Sequence, residues 1–95
     1  MGKSQAIYKV PGGKLLKVFL DVHDGKIADI KITGDFFMYP EEKINMLEDA
    51  MRGQGLDENS LVENLDKVIE DEKLELFGLD SAGIVTTIMM AANAS

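Results

Sequence analysis

Ile30-Lys31-Ile32-Thr33-Gly34-Asp35-Phe36-Phe37-Met38-Tyr39-Pro40-Glu41-Glu42 is the stretch on which the reading of this chain turns. It begins as a strand, with Ile30 and Ile32 alternating against Lys31 and Thr33. Gly34 and Asp35 interrupt it. Phe36, Phe37 and Tyr39 follow, half of the chain's six aromatic residues. Pro40 then opens a helix at its first position, where a missing N–H costs nothing, and Glu41 and Glu42 suit the positive helix end. A sheet therefore hands over to helices through an aromatic corner with a glycine-hinged entrance. Such a corner can plug a core, present a docking surface, or do both.

Upstream, Gln5–Val10 reads as a short strand, preceded by a loose tail at residues 1–4. Pro11-Gly12-Gly13-Lys14 is a turn, with Pro11 and Gly12 suited to its two central positions. Leu15–Val22 is the best strand, because Leu16, Val18, Leu20 and Val22 share one side. Residues 23–26 turn the chain and Ile27–Thr33 returns. A two-residue Asp24-Gly25 loop would place Val18 opposite Lys31 and Leu20 opposite Asp29. A three-residue loop over His23-Asp24-Gly25 instead pairs Leu16 with Ile32, Val18 with Ile30 and Leu20 with Ala28. One side is then uniformly apolar, so the pattern favours the longer loop.

Downstream, Pro40–Arg52 is expected as a helix with Ile44, Leu47, Ala50 and Met51 inward, ended by a left-handed Gly53. Asp57 caps a second helix over Glu58–Asp71, with Leu61, Val62, Leu65, Val68 and Ile69 as its apolar stripe; Ser60 with Glu63 is an alternative capping box. Residues 73–79 form a connector or a last strand. Asp80 or Ser81 caps a third helix to about Ala92, with Ile84, Val85, Ile88 and Met89 inward. The order predicts an α+β fold: a three-stranded antiparallel sheet over residues 5–33, then three helices over 40–92 covering one face, in one domain spanning 1–95.

The 95 residues carry a net charge of −7, 45% hydrophobic content and no cysteine. Disulfides, thiolate catalysis and cysteine-ligated clusters are excluded. The first residues hold no apolar signal core, and no apolar run approaches the ~20 residues of a membrane span. The expected setting is cytoplasmic, with no membrane and no nucleic-acid partner, since phosphate binding demands positive charge. Residues 3–36 carry six bases against four acids, whereas residues 41–80 are strongly acidic. That asymmetry describes either a solvated helical surface or a basic half facing an anionic ligand or acidic partner.

Little here can catalyse alone. The single His23 falls in a turn, and no paired metal-ligand spacing exists, so no catalytic and no metal residue is assigned. Pro11-Gly12-Gly13-Lys14 is either a plain turn or an anion contact, in which glycine N–H groups and a lysine approach a phosphate. Of Phe36, Phe37 and Tyr39, one or two are expected in the core and at least one exposed. The methionines read as core gap-fillers or ordinary surface.

Lys9-Val10-Pro11-Gly12-Gly13-Lys14-Leu15, the Asp24-Gly25 hairpin, Ile32-Thr33-Gly34-Asp35-Phe36-Phe37 and Tyr39-Pro40-Glu41 together resemble the C-terminal accessory domain of lipoate-protein ligase. The chain's length resembles the form in which that domain is a separate small subunit beside a catalytic large one. The resemblance implies a heterodimer in which the large subunit uses ATP, with magnesium, to convert lipoate to lipoyl-adenylate. The lipoyl group then passes to a lysine of an acyl-carrier (lipoyl) domain. The small subunit would bind no cofactor alone and would be needed for the adenylation step. Gly12, Gly13 and Lys14 would lie near the nucleotide, while Asp35, Phe36, Phe37 and Tyr39 would contact or buttress the large subunit. The alternative is a non-enzymatic interaction module whose acidic helices bind a basic partner.

Overall fold

In this computed structural model, which describes residues 2–94, strands β1 (Gly2–Lys9), β2 (Leu15–His23) and β3 (Lys26–Gly34) form an antiparallel sheet in that spatial order. Then come β4 (Phe37–Tyr39), α1 (Ile44–Met51), α2 (Glu58–Asp71), β5 (Glu75–Phe77) and α3 (Ser81–Ala94). The expected α+β architecture of three strands and three helices is what forms. Alternation puts Leu16, Val18 and Leu20 of β2, with Ile30 and Ile32 of β3, on one buried side. Helix α3 packs on β1 and β2, α1 packs on β3, and α2 packs against both α1 and α3. Among the described residues no helix is long and apolar enough to cross a membrane.

Two sequence-based boundaries move at the N-terminus. Strand β1 starts at Gly2, so residues 2–4 are strand rather than tail; Met1 lies outside the described residues. The strand is longer because β2 runs on to His23 and offers partners, with Lys3 opposite Asp21 and Ser4 opposite Leu20.

The β2–β3 register also differs from expectation. The loop is the two-residue Asp24-Gly25, both with positive φ (53° and 74°), as a tight hairpin turn requires. The ladder then shifts between Asp21 and Val22. Val22 faces Ile27 and Asp21 faces Asp29, leaving Ala28 as a bulge. Beyond it Leu20 faces Ile30, Val18 faces Ile32 and Leu16 faces Gly34. The expected register left Ile27 outside and Ala28 inside. The bulge reverses this, and Ile27 is fully buried. Burying an isoleucine rather than an alanine gains about 0.8 kcal/mol for each extra methylene, and a bulge corrects the face as effectively as a longer loop. Ile27 is also held by the segment after α1: its N–H donates to the Gln54 carbonyl at 2.9 Å and its carbonyl accepts from Gly53 N–H at 2.7 Å.

The first helix starts later than expected. Pro40 is extended (φ −68°, ψ 136°) and caps a 3-10 turn over Glu41–Lys43 instead of standing inside a helix, and α1 proper begins at Ile44. Gly53 is left-handed (φ 83°), as expected. Helix α2 has the expected limits. The Asp57 carboxylate accepts from the Ser60 N–H at 3.3 Å, so Asp57 is the cap rather than Ser60. At α3 the Asp80 carboxylate accepts from the Gly83 N–H at 2.6 Å, which settles the cap on Asp80.

Residues 73–79 do contain a strand, but it does not join the main sheet. β5 pairs antiparallel with β4, Phe37 facing Phe77, Met38 facing Leu76 and Tyr39 facing Glu75. β4 itself had no counterpart in the sequence reading.

Candidate functional site

The turn between β1 and β2 is closed by the Gly13 N–H donating to the Val10 carbonyl (2.8 Å) and the Val10 N–H donating to the Lys14 carbonyl (3.1 Å). Gly12 is left-handed (φ 70°) with open space around it, which glycine meets without strain. Gly13 has a different reason. A Cβ there would stand 2.5 Å from the Gly78 carbonyl oxygen, because the turn is pressed against the residue that follows β5. The Lys14 N–H donates to that same oxygen at 2.8 Å. Gly78 is itself left-handed (φ 90°), and a Cβ on it would fall 2.5 Å from Lys14 Cγ. The aliphatic stem of Lys14 therefore crosses Gly78, and its end is exposed.

This geometry narrows what the turn can offer an anion. The N–H groups of Gly13 and Lys14 are already engaged inside the protein. What Lys14 presents outward is its ammonium, on a stem aimed by Gly78. Gly78 is a positioning residue that the sequence reading missed; its signal was a glycine closing the apolar run before the Asp80 cap.

The aromatic corner is built from the other side of β2. A Cβ on Gly34 would run into the Leu15 carbonyl, and the Asp35 N–H donates to that carbonyl at 3.0 Å. Asp35 is exposed. Phe36 is half-buried against the core. After it β4 alternates: Met38 is buried, while Phe37 and Tyr39 are 73% and 68% exposed. Directly opposite Phe37, Phe77 is 53% exposed. The outward face of this two-stranded ribbon thus carries three aromatic rings, an unusual exposure for residues of this size. Phe77 was not among the expected site residues, since nothing local announces that β5 pairs with β4. A groove of about 280 Å³ lies beside the corner, between Thr33, Phe36, Met38 and Ile44.

Gly12, Gly13, Lys14, Asp35, Phe36, Phe37 and Tyr39 are thereby brought to one end of the molecule. Leu15 links the turn to Asp35, and Phe77-Gly78 links it to the aromatic ribbon. His23 lies at the opposite end of β2, its Nε2 3.3 Å from Asp21 Oδ1. It ends a strand rather than sitting within the loop. Among the described residues no group of three or more His, Cys, Asp or Glu side chains could hold a metal ion. The carboxyl of Asp29 is held below the usual carboxylate range, first by hydrogen bonding from Arg52 and then by the Ile30 N–H. That pair braces β3 against α1 and lies away from the aromatic end.

Residues 5–88 match the family model described as bacterial lipoate protein ligase C-terminus. Over 57 residues the chain is 46% identical to lipoate-protein ligase A subunit 2 of Thermoplasma acidophilum, an alignment covering 60% of this chain and 54% of that relative. The fold superposes with a TM-score of 0.63 and 31% identity on a chain from the structural analysis of an archaeal lipoylation system, a bi-partite lipoate protein ligase and its E2 lipoyl domain from Thermoplasma acidophilum, covering 93% of both chains. On its sequence and on its fold, this chain belongs to the lipoate protein ligase C-terminus family.

Proposed function

We propose that this protein is the small subunit of a bipartite lipoate-protein ligase, needed with a catalytic subunit for ATP-dependent conversion of lipoate to lipoyl-adenylate ahead of transfer to a lysine of a lipoyl carrier domain. The observation that carries the reading is the joining of an exposed lysine and an exposed aromatic face at one end of a fold shared with the bipartite ligase. Adenylation moves charge on the ATP phosphates while the lipoate carboxylate attacks, so positioning and cationic stabilisation contribute most. In this reading Lys14, aimed by Gly78, reaches toward the nucleotide. Phe37, Tyr39 and Phe77 seat the aromatic ribbon on the catalytic subunit, with Phe36 anchoring it to the core and Asp35 at its edge. A seated cap excludes water from the adenylate, and its departure admits the bulky carrier. ATP and lipoate belong to the complex as substrates. Magnesium enters this reading with the ATP of the complex. The cytoplasm is the proposed setting.

The test is reconstitution. Chain and catalytic subunit from the same organism are mixed with lipoate and ATP, and pyrophosphate and lipoyl-adenylate are measured. We expect neither product from the chain alone and both from the mixture. Lys14→Ala is expected to slow the reaction mainly at subsaturating ATP. Adenylate formation indifferent to the chain refutes the reading.

One observation favours the other class, an acidic interaction module. A groove of about 390 Å³ between α1 and α2 is lined by Met46, Asp49, Val68, Asp71 and Glu72; Asp49 pairs with Arg52 and Glu72 with Lys43, which leaves Asp71 as the acid open to a basic segment. In that case reconstitution gives no stimulation.

A further inference from the structure

The helices cover one side of the three-stranded sheet, and the other side lies open. On that open side Ile7 faces Lys17, Lys9 faces Leu15, and Phe19 faces Lys31. Ile7, Leu15 and Phe19 are 52%, 42% and 38% exposed. The Lys17 ammonium stands 4.8 Å above the Phe19 ring. None of the three lysines forms an ion pair among the described residues. The two acids of this side sit at its far end, in the row that also holds Lys3, and Asp21 Oδ1 has no hydrogen-bond partner among the described residues. Asp29 bonds Arg52 at 2.9 Å, and Asp21 lies 3.3 Å from His23. A chain of net charge −7 therefore displays three lysines without an ion pair interspersed with three exposed apolar side chains, Lys17 standing on the central strand between Phe19 and Leu15.

The chemistry of that patch selects its partner. Exposed apolar side chains interspersed with charges offer a protein partner both surface to bury and charges to pair. A single-stranded nucleic acid would need a stacking platform, yet Phe19 is the one aromatic ring on this side, and the chain's overall charge repels a polyanion. Unpaired lysines call for carboxylates opposite them, which steer association and fix its register. The patch also abuts the turn. Leu15 follows Lys14 directly, and its carbonyl holds Asp35 of the aromatic corner. One large partner can reach both.

We propose that the open side of the sheet docks on a mixed apolar and acidic patch of the catalytic subunit, as a second contact beside the aromatic ribbon. The inference rests on the ligase reading. The aromatic ribbon supplies apolar anchoring, and Lys9, Lys17 and Lys31 set orientation and on-rate.

Binding of the full chain to the catalytic subunit, measured by titration calorimetry at low and at physiological salt, tests this. Lys17→Glu/Lys31→Glu is expected to weaken binding at least about tenfold, and the loss should shrink as salt rises. Reversal of an exposed lysine on α2, Lys67→Glu, should change affinity less than about twofold. Should the double reversal fail to fold by circular dichroism, Lys17→Gln/Lys31→Gln repeats the test with charge removed, with about threefold weakening expected. Unchanged affinity of the sheet variants, or an equal loss from Lys67→Glu, overturns the second contact and leaves the subunit reading intact. An unaltered chain that does not bind the catalytic subunit overturns both. Tight binding of a single-stranded oligonucleotide that Lys17→Glu/Lys31→Glu abolishes also overturns it.

Discussion

The backbone N–H of Lys14 donates to the carbonyl oxygen of Gly78 at 2.8 Å. This bond joins the first hairpin to the segment between β5 and α3. Because Phe77 pairs with Phe37, it also ties the turn to the aromatic ribbon. The stem of Lys14 lies where a side chain on residue 78 would be. The lysine's direction is thus a property of a glycine far away in sequence.

Gly78→Ala tests that dependence. The substitution places a Cβ at φ 90° and against Lys14 Cγ, a combination expected to cost about 1–3 kcal/mol. Gly12→Ala, also left-handed but with open space around it, should cost about 1 kcal/mol. Urea unfolding of the two variants checks the order, and equal losses would show that the turn does not lean on Gly78.

Phe37→Ala and Tyr39→Ala separate docking from folding. Both rings are largely exposed, so each change should alter stability by less than about 0.5 kcal/mol. If they anchor the catalytic subunit, each should weaken its binding by about 2 kcal/mol, roughly 30-fold. Calorimetric titration alongside thermal unfolding gives both numbers. A loss of stability with binding intact would make them core residues instead.

Glu48 satisfies one donor on the β3 edge of the sheet. β3 is an outer strand, and its Ile32 N–H donates to the Glu48 carboxylate of α1 at 2.9 Å. Glu48→Ala leaves that donor without its charged acceptor, at an expected cost of about 1–3 kcal/mol, and Glu48→Gln should recover part of it. Amide exchange at Ile32 should speed up in Glu48→Ala while exchange in α2 keeps pace only with the global loss. Unchanged protection at Ile32 would remove Glu48 from this role.

Asp29 makes stability depend on acid. Its folded pKa is lowered, first by Arg52 hydrogen bonding and then by the Ile30 N–H. Stability from this carboxylate is therefore present above its unfolded value of about 3.9 and is lost as pH falls through the folded value. Asp29→Asn should lose less stability than the unaltered protein between pH 5 and pH 3, in the sense set by that lowering. The carboxylate is exposed, so the difference is expected to be small. Urea midpoints at the two pH values measure it, and parallel acid losses in both proteins would contradict the assignment.

Local chemistry settled much of this molecule before any tertiary contact was known. Helix α2 runs over its expected residues because its Asp57 cap and its 3.6-residue apolar stripe are both written within one segment. The alternation of Leu16, Val18 and Leu20 likewise picked the buried side of β2, and the segment Thr33–Glu41 marked the corner. Wherever the deciding energy came from a distant residue, sequence was silent. The choice between a longer loop and a bulge at Ala28 depended on burying Ile27 beneath the segment after α1. β4 is three residues long and has no alternation to read until β5 supplies its partner. Phe77 and Gly78 joined the site for the same reason: a ladder bond and a close backbone approach depend on where two remote segments meet in space. Sequence alone determined the order of the three sheet strands and three helices, the limits of α2 and the place of the aromatic corner. Only the packing of β5 against β4 and of Gly78 against Lys14 decided that the hairpin and the aromatic face lie together.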